Sequence, residues 1–394
     1  MRPKAIAVLT FLLFSISNGQ AATLKVLHTF KGGLDGAGPY AGVIFDSAGK
    51  LYGVTEAGGI YGQGTVFRLT HSLSAWNKKV LYNFTGGTDG NQPIGGLAID
   101  EAGNLYGTAS AGGDPSAQCG TVFKLTRSGS SWIFTVLHTF IGGNDGCAPG
   151  SNLRYAGGGL YGTTVSGGSA NHGTVFSLPT SGGNDFVSPF LSTIGNQPWG
   201  GINSWGYGTT YAGGSQGRGT VYELVYGHHL AVKHTFTLLG KAGYYPLGDL
   251  LNVNVNGVGT MYGTTFAGGV GFHGTAYQLT ASPYQYDVWL IHVLHSFSGP
   301  DGESPGAGLT ADSAGNLYGT TIWGGADPGL SGTVFKLTPG ANNTWTHTLL
   351  HSFTGGKDGG AVYSGVVLDN AGNVYGTTLK GGASQAGVVY EVTP

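Results

Sequence analysis

The sequence is poor in charge and lacks helical patterning. Charged residues make up only 9% of the chain, and the formal net charge is −2. Because there is no basic patch and no acidic tail, we expect no nucleic-acid partner and no electrostatic attraction to a membrane surface. After residue 21 no helical period of useful length appears, which argues against a helical fold.

Long apolar runs are also missing, apart from one at the N-terminus. There a positively charged start precedes the apolar residues 5–16, a run too short to span a bilayer, and small residues follow up to Ala21. We therefore interpret residues 1–21 as a signal peptide. For residues 22–394 we expect a secreted, periplasmic or cell-surface protein with no membrane span and no anchor.

Cysteine is nearly absent, with two residues in the whole chain, Cys119 and Cys147. Two thiols in an oxidising compartment favour a single disulfide. The repeat described below assigns their loops to the same face in neighbouring positions. We predict a Cys119–Cys147 disulfide, and the alternative is two buried or free thiols.

Glycine, in contrast, is abundant, with 77 of 394 residues. It does not indicate disorder here, because it recurs at fixed places between apolar and aromatic runs. The recurring core reads A-G-N-L-Y-G-T-T, then G-G, then G-T-V-F. Its tyrosine returns every 46 to 57 residues, at Tyr52, Tyr106, Tyr161, Tyr207, Tyr262, Tyr318 and Tyr375. Such a period indicates a repeat architecture.

Each repeat carries four short strand signals. In the sixth repeat they are residues 293–297, 308–312, 316–321 and 332–338. The last of these alternates apolar and polar side chains, as a half-buried strand does. The sequence S-A-G-N joins the second and third runs as a tight hairpin, in which Gly315 supplies the positive φ.

A single four-stranded sheet cannot bury both of its faces, whereas seven sheets packed in a ring can. We therefore predict an all-β fold, a seven-bladed β-propeller in which residues 22–394 form one domain of seven repeats of roughly 54 residues. The chain opens with an outer-strand sequence at 24–30 and ends with a third-strand sequence at 387–393. We expect the N-terminal strand to complete the last blade and close the ring.

The full repeat, LHxFxGGxDGxxPxxGLxxDxAGNLYGTTxxGGxxxxGTVFxLT, resembles the GloVer-type "choice-of-anchor" tandem repeats of extracellular bacterial proteins. The resemblance covers roughly residues 24–394. The fourth repeat departs most, since it lacks the GGxDG element, and the fifth replaces the AGN hairpin with residues 252–263. The resemblance implies export and a propeller-like repeat, and it carries no established catalytic residues.

Two polar residues recur in fixed positions, and we interpret both as structural. One is an outer-strand histidine and the other is the aspartate of GGxDG, which we expect to stabilise its own turn. One carboxylate per loop is too few to hold calcium, so we expect neither a metal nor another cofactor. The residues are His28, His138, His234, His295 and His351, and Asp35, Asp89, Asp145, Asp301 and Asp358.

Residues that break the pattern on one face are candidates for a ligand site. This loop face carries the GGxDGxxP loops and the glycine-rich loops before GTVF. Exposed aromatic rings there suit stacking against sugars, although aromatic side chains also fill the space between blades. The candidates are Tyr40, Trp199, Tyr211, Arg218, Phe266, Trp323 and Tyr363.

Acid–base chemistry would need two positioned carboxylates or a His–carboxylate pair. The weak catalytic candidates on the loop face are Glu56, Glu303, Lys380, His172 and His273. No HExxH run is present, and the two G-x-S-x-G matches, at residues 213–217 and 302–306, lie in glycine-rich loops without the strand-to-helix pattern of a nucleophile elbow.

These observations favour a binding module for an extracellular glycan or another extracellular polymer, with a protein partner as a variant of this hypothesis. Two alternatives stay open. One is a polysaccharide-degrading propeller enzyme, a lyase or a glycoside hydrolase. The other is a structural repeat protein without a small ligand.

Overall fold

The computed structural model describes most of the chain after the predicted leader. The described ranges are residues 22–73, 75–183, 185–226, 228–238, 240–255, 257–282, 289–326 and 331–394. The predicted signal peptide lies outside them. The described residues form β-strands and three short 3₁₀ turns, Gly33–Asp35, Gly143–Asp145 and Ala341–Asn343. Among them no helix is long and apolar enough to cross a membrane.

Within the described ranges, each of the seven repeats forms one antiparallel sheet, a blade. The chain opens with strand β1 (Thr23–Thr29). The first blade contains β2 (Ile44–Phe45), β3 (Leu51–Thr55), β4 (Thr65–Ser72) and β5 (Ala75–Asn83). The second contains β6 (Ala98–Ile99), β7 (Leu105–Ala109), β8 (Thr121–Ser128) and β9 (Ser131–Thr139).

The third blade contains β10 (Cys147–Pro149), β11 (Arg154–Ala156), β12 (Gly159–Ser166), β13 (Thr174–Pro179) and β14 (Phe186–Pro189). The fourth contains β15 (Tyr207–Thr210), β16 (Thr220–Val225) and β17 (His229–Thr235). The fifth contains β18 (Leu251–Val255), β19 (Val258–Thr265), β20 (Thr275–Ala281) and β21 (Trp289–Ser296).

The sixth blade contains β22 (Thr310–Ala311), β23 (Leu317–Thr321), β24 (Thr333–Pro339) and β25 (Trp345–Ser352). The seventh contains β26 (Val367–Leu368), β27 (Val374–Thr378) and β28 (Val388–Thr393). The predicted all-β, seven-bladed propeller is confirmed.

The first strand of the chain lies in the sheet of the last repeat. The strand order in that sheet is β1-β28-β27-β26, and β1 runs antiparallel to β28 from Thr23 opposite Thr393 to Thr29 opposite Val388. Further along, the hydroxyl of Thr377 donates to the carbonyl of Ala41, at 2.9 Å. The first and seventh blades are therefore joined directly by hydrogen bonds.

Local turn chemistry explains why the core tyrosine recurs. In the sixth blade, Asp312 accepts hydrogen bonds from the backbone N–H of Asn316 at 2.9 Å and from the hydroxyl of Tyr318 at 3.0 Å. The tyrosine hydroxyl thus closes the hairpin that precedes its own strand. The next residue must be glycine, because a Cβ at Gly319 would lie 2.6 Å from the ring of Phe335 in the blade core.

Neighbouring blades are joined on the loop face by a repeated backbone hydrogen bond. In every repeat of the described chain, one residue of the segment that leads to the inner edge of the blade is in the left-handed region, with φ between 51° and 63°. Its N–H donates to a carbonyl of the preceding blade over 2.8 to 3.1 Å. The donors are Gly38, Gln92, Ala148, Gln197, Tyr245, Ser304 and Ala361. In each repeat this hydrogen bond places the residue two positions after the donor near the centre of the ring.

Candidate functional site

A central cavity of about 290 Å³ is surrounded by residues from the inner edges of all seven repeats. Three of them are aromatic, and all three are among the predicted ligand-binding residues. The seven lining residues at this level are Tyr40, Ile94, Gly150, Trp199, Leu247, Gly306 and Tyr363. The topology therefore brings Tyr40, Trp199 and Tyr363 to one cavity, although they are far apart in the sequence.

One side of this cavity is formed by a stacked tyrosine pair. The rings of Tyr40 and Tyr363 lie with centroids 5.0 Å apart and planes 26° apart. Tyr40 belongs to the first repeat and Tyr363 to the seventh, so the pair lies where the two ends of the ring meet. Burial, with smaller contributions from Tyr363 and Glu56, raises the pKa of Tyr40 to about 12, so its hydroxyl stays protonated at neutral pH.

The carboxyl group of Glu56 lies beside this pair. Glu56 follows β3 directly, and its backbone N–H donates to the carbonyl of Gly38. Its side chain folds over Gly38, where a Cβ would come within 2.8 Å of Oε1. Burial raises the pKa of the Glu56 carboxyl. Within the described ranges this carboxyl makes no hydrogen bond or ion pair.

Two polar residues of the cavity wall were missed by the sequence analysis. The amide of Asn152 donates to the carboxylate of Asp249 at 2.7 Å, and the N–H of Gly201 donates to the same carboxylate at 2.5 Å. Asn152 in turn accepts from the N–H of Gly96 at 2.8 Å. Burial nevertheless raises the pKa of the Asp249 carboxyl. Asp249 thus gives the cavity wall a carboxyl group supported by neutral donors from other blades, whereas Glu56 lies beside the tyrosine pair and is not a lining residue.

A pattern in the sequence marks these two residues. The position two residues after each of the seven lining residues named above is glycine in five repeats, and only Asn152 and Asp249 depart from it. Glycine is needed there because adjacent inner strands approach closely. A Cβ at Gly201, for example, would lie 2.6 Å from the carbonyl oxygen of Asn152.

A second aromatic cluster lies on the loop face between the fourth and fifth repeats. Tyr211 and Tyr245 stack with ring centroids 4.6 Å apart. The guanidinium of Arg218 donates to the hydroxyl of Tyr245 and lies 5.2 Å from the ring centroids of Tyr244 and Tyr245. None of these side chains lines the central cavity. The predicted residues Tyr211 and Arg218 therefore belong to a separate place.

The other two predicted aromatic residues also lie outside the cavity. The Trp323 side chain is 39% exposed, and its backbone pairs with that of Glu303. Phe266 is half-buried, and its N–H donates to the carbonyl of Tyr245. The seven predicted ligand residues thus divide between the cavity, the Arg218 cluster and isolated positions.

The five weak catalytic candidates are spread over the loop face. Only one pair of them is in contact within the described part of the chain. His273 Nδ1 lies 3.4 Å from Glu303 Oε2, and both side chains are about one-third exposed. Lys380 is exposed and His172 is half-buried.

The recurring histidine and aspartate form pairs with each other. The four pairs are His28–Asp35 at 3.1 Å, His138–Asp145 at 3.1 Å, His295–Asp301 at 2.7 Å and His351–Asp358 at 3.2 Å. Each aspartate also accepts a hydrogen bond from a backbone N–H of its own turn, as Asp35 does from Lys31 at 2.9 Å. The predicted turn-stabilising role of these aspartates is confirmed.

The predicted disulfide is confirmed as well. Cys119 and Cys147 are bonded across 28 positions of sequence. Next to the bond, the N–H of Ala148 donates to the carbonyl of Cys119, which is the inter-blade link of this pair of repeats. The disulfide thus reinforces the contact between the second and third blades.

Solved structures resemble this chain in fold. A protein described as a 6-phosphogluconolactonase from Bacteroides uniformis is 14% identical with a TM-score of 0.54, covering 83% of this chain and 88% of that one. A second, from Bacteroides fragilis, is 14% identical with a TM-score of 0.50, covering 83% and 86%. A protein described as an oxidoreductase (glucose dehydrogenase) from Thermus thermophilus is 14% identical with a TM-score of 0.48, covering 95% and 100%. At this identity the likeness concerns the fold alone.

Comparison with curated protein sequences gave no match. The Gloeobacter/Verrucomicrobia repeat, in contrast, matches twice, over residues 12–206 and again over residues 201–394. Together the two matches cover the whole described chain, in agreement with the seven tandem blades. The chain belongs to the family of the Gloeobacter/Verrucomicrobia repeat.

Proposed function

We propose that this protein is an extracellular binding module that holds a glycan at the central cavity of its loop face. The observation that carries the proposal is the half-buried carboxyl of Glu56, which has no partner in the described structure and lies beside the stacked Tyr40–Tyr363 pair. A desolvated carboxylate without a hydrogen-bond donor is costly, so a ligand that supplies donors would be favoured there.

The chemistry of the cavity suits a sugar. Tyrosine and tryptophan rings stack against the apolar face of a pyranose, while carboxylates and hydroxyls bond its polar edge. Tyr40 and Tyr363 offer the ring faces on one side, and Trp199 offers a third ring in the same cavity. Glu56 and Asp249 are the acceptors for hydroxyl groups.

The size of the cavity favours partial insertion of a longer ligand. At about 290 Å³, it lies at the lower end of the range of small-molecule pockets, roughly 300–1,000 Å³. One or two sugar rings would fill it. The remaining chain of a polymer would then lie across the surrounding loops. The leader predicted at residues 1–21 supports a ligand outside the cytoplasm.

A retention assay against a panel of polysaccharides tests this proposal. Trp199→Ala removes a ring from the cavity, and Trp323→Ala removes an exposed ring outside it as the matched control. We expect the parent and Trp323→Ala to be retained by the same polymer and Trp199→Ala to be released at least about ten-fold more readily. Equal retention of all three proteins, or none by any polymer, would contradict the cavity as the binding site.

A second candidate function is polysaccharide breakdown by a lyase or hydrolase. It is favoured by one observation, the contact between His273 and Glu303 at 3.4 Å, because a His–carboxylate pair can transfer protons. Product release measured in the same panel tests it. Turnover by the parent that is lost in Glu303→Gln would support the enzyme, whereas retention without products would support the binding module.

A further inference from the structure

Three potential metal ligands meet between the fifth and sixth blades. His295 lies on β21 of the fifth blade, Asp301 lies in the turn that follows, and His347 lies on β25 of the sixth blade. The His295 Nε2 atom is 2.7 Å from Asp301 Oδ2. The rings of His295 and His347 stack at 4.2 Å. One ligand atom from each residue lies within 4.8 Å of the other two.

His295 and Asp301 were each predicted from the sequence to be structural residues, and the structure pairs them with each other. His347 was not among the predicted residues, because it lies on β25 four positions before the recurring His351 and is not itself part of the repeated motif. His347 distinguishes this pair from the others in the described chain. Its Nε2 atom is buried and has no hydrogen-bond partner there.

The first blade shows what kind of group can occupy the position of His347 beside a His–Asp pair. We call this position the niche. Lys78 is opposite Leu69 in its sheet, as His347 is opposite Leu337. These are equivalent positions in the two blades. The ammonium of Lys78 points at the neighbouring His28–Asp35 pair and lies 2.9 Å from Asp35 Oδ1. It also lies 5.2 Å from the ring centroid of Phe30. In that blade the niche therefore holds a cation.

We propose that His295, Asp301 and His347 bind one divalent transition-metal ion, best matched by Zn²⁺, which clamps the fifth and sixth blades together. The bound ion takes the place that the Lys78 ammonium takes in the first blade. Two imidazoles and one carboxylate form a ligand set typical of zinc.

The local geometry supports this ligand set. Zinc bonds to nitrogen and oxygen are about 2.0–2.2 Å long. To close the site, the donor atoms must move by on the order of 1 Å and the two stacked imidazole rings must tilt so that their lone pairs converge on one ion. The amide and hydroxyl of Ser298 donate to Asp301 Oδ1, at 2.8 and 2.9 Å, and orient the carboxylate. His295 and Asp301 are 21% and 25% exposed, which leaves an open side for a water ligand.

The test is a titration of ZnCl₂ into the tag-free protein after dialysis against a chelator. Calorimetry should give one zinc ion per chain, and the thermal unfolding midpoint should rise with zinc because the ion binds the native state. Magnesium, which prefers oxygen ligands, should have neither effect. No zinc binding by the parent would overturn the proposal.

Matched variants locate the site. His347→Leu installs the residue type that the fourth blade has at the equivalent position, Leu230, and should weaken zinc binding at least about ten-fold. Asp301→Asn should weaken it as well, while His351→Ala, in a pair without a third ligand, should leave it unchanged. Unchanged binding in folded His347→Leu would overturn the proposal. Lys78→His should create a second site, and two zinc ions per chain would support the assignment strongly.

Discussion

Two stacked tyrosine pairs lie on the loop face, and they differ in the charge that accompanies them. Tyr211 and Tyr245 are accompanied by Arg218, which bonds the hydroxyl of Tyr245 and lies over its ring. Tyr40 and Tyr363 are accompanied by the Glu56 carboxyl, which has no partner in the described chain.

The charge beside each tyrosine pair distinguishes a packing cluster, at Arg218, from the proposed binding site, at Glu56. A cation against tyrosine rings is stabilised by the ring quadrupole and needs no further ligand. A half-buried carboxylate gains nothing from the ring faces and lacks a donor. The Tyr40–Tyr363 pair also borders the central cavity, whereas the Tyr211–Tyr245 pair does not. Under the proposed function, the same aromatic pattern serves the fold in one sector and forms part of the ligand site in the other.

The largest expected effect is a loss of ligand affinity when one ring is removed from the cavity pair but not when one is removed from the other pair. Tyr363→Ala removes one ring of the cavity pair and should weaken glycan binding by about 10- to 100-fold. Tyr211→Ala, the matched change in the other pair, should leave the affinity unchanged. Calorimetry or affinity electrophoresis with the retained polymer measures both. A similar loss in the two variants would erase the distinction between the sectors.

The next effect is on stability and should show the opposite pattern. Arg218→Met keeps the length of the side chain but removes its charge and its hydrogen bond to Tyr245. We expect the free energy of unfolding to fall by roughly 1–2 kcal/mol, because a partly desolvated cation–π contact and a charge-assisted hydrogen bond are lost. Denaturant unfolding measures this change. If Arg218→Met were as stable as the parent but no longer bound glycan, the Arg218 cluster would be the binding site rather than a packing cluster.

The pH dependence of binding should follow Glu56. Burial raises the pKa of its carboxyl, so the group ionises at a higher pH than an ordinary glutamate, whose pKa is about 4.3. If the ionised form accepts sugar hydroxyls, affinity should increase several-fold as pH rises through this raised pKa. Glu56→Gln should bind more weakly at neutral pH and show a flat profile over that range. A rise of the same size in Glu56→Gln would exclude Glu56 as its source.

The smallest expected effect is on the stability of Glu56→Gln. A carboxyl whose folded-state pKa is raised stabilises the fold when protonated, below its unfolded pKa, and that contribution is lost as pH rises through the folded pKa. Above its raised pKa, ionised Glu56 therefore destabilises the folded state. The glutamine variant should be as stable as the parent or more stable by about 1 kcal/mol or less. A clear loss of stability at pH 7, seen in urea unfolding, would indicate a structural role.

The fold followed from the sequence because its signals are local. The period of the core tyrosine reflects a hairpin closed within six residues, as between Asp312 and Tyr318. The glycine after it reflects contact with a ring on the next strand. Such short-range constraints recur unchanged in each repeat, so the number of blades and their strand order could be counted.

The candidate site could be predicted from the sequence only in part, because its contacts join residues of different repeats. Tyr40, Trp199 and Tyr363 were recognisable as departures from a shared position, but their common cavity depends on the closed ring. Asn152 of the third repeat bonds Asp249 of the fifth beside Gly201 of the fourth, a contact that no single repeat reveals. Glu303 of the sixth repeat likewise contacts His273 of the fifth. Hydrogen bonds between blades join residues that are far apart in the sequence, and the pattern within one repeat does not predict them.

The most direct test of the account is polymer retention by a Tyr40→Ala, Tyr363→Ala double variant compared with the parent. A Tyr211→Ala, Tyr245→Ala double variant serves as the control, and far-UV circular dichroism verifies that each protein is folded. The account predicts that the parent and the control are retained by the same polysaccharide without product release, and that the cavity variant is not. Equal retention of a folded cavity variant would contradict the central cavity as the site where this propeller binds its ligand.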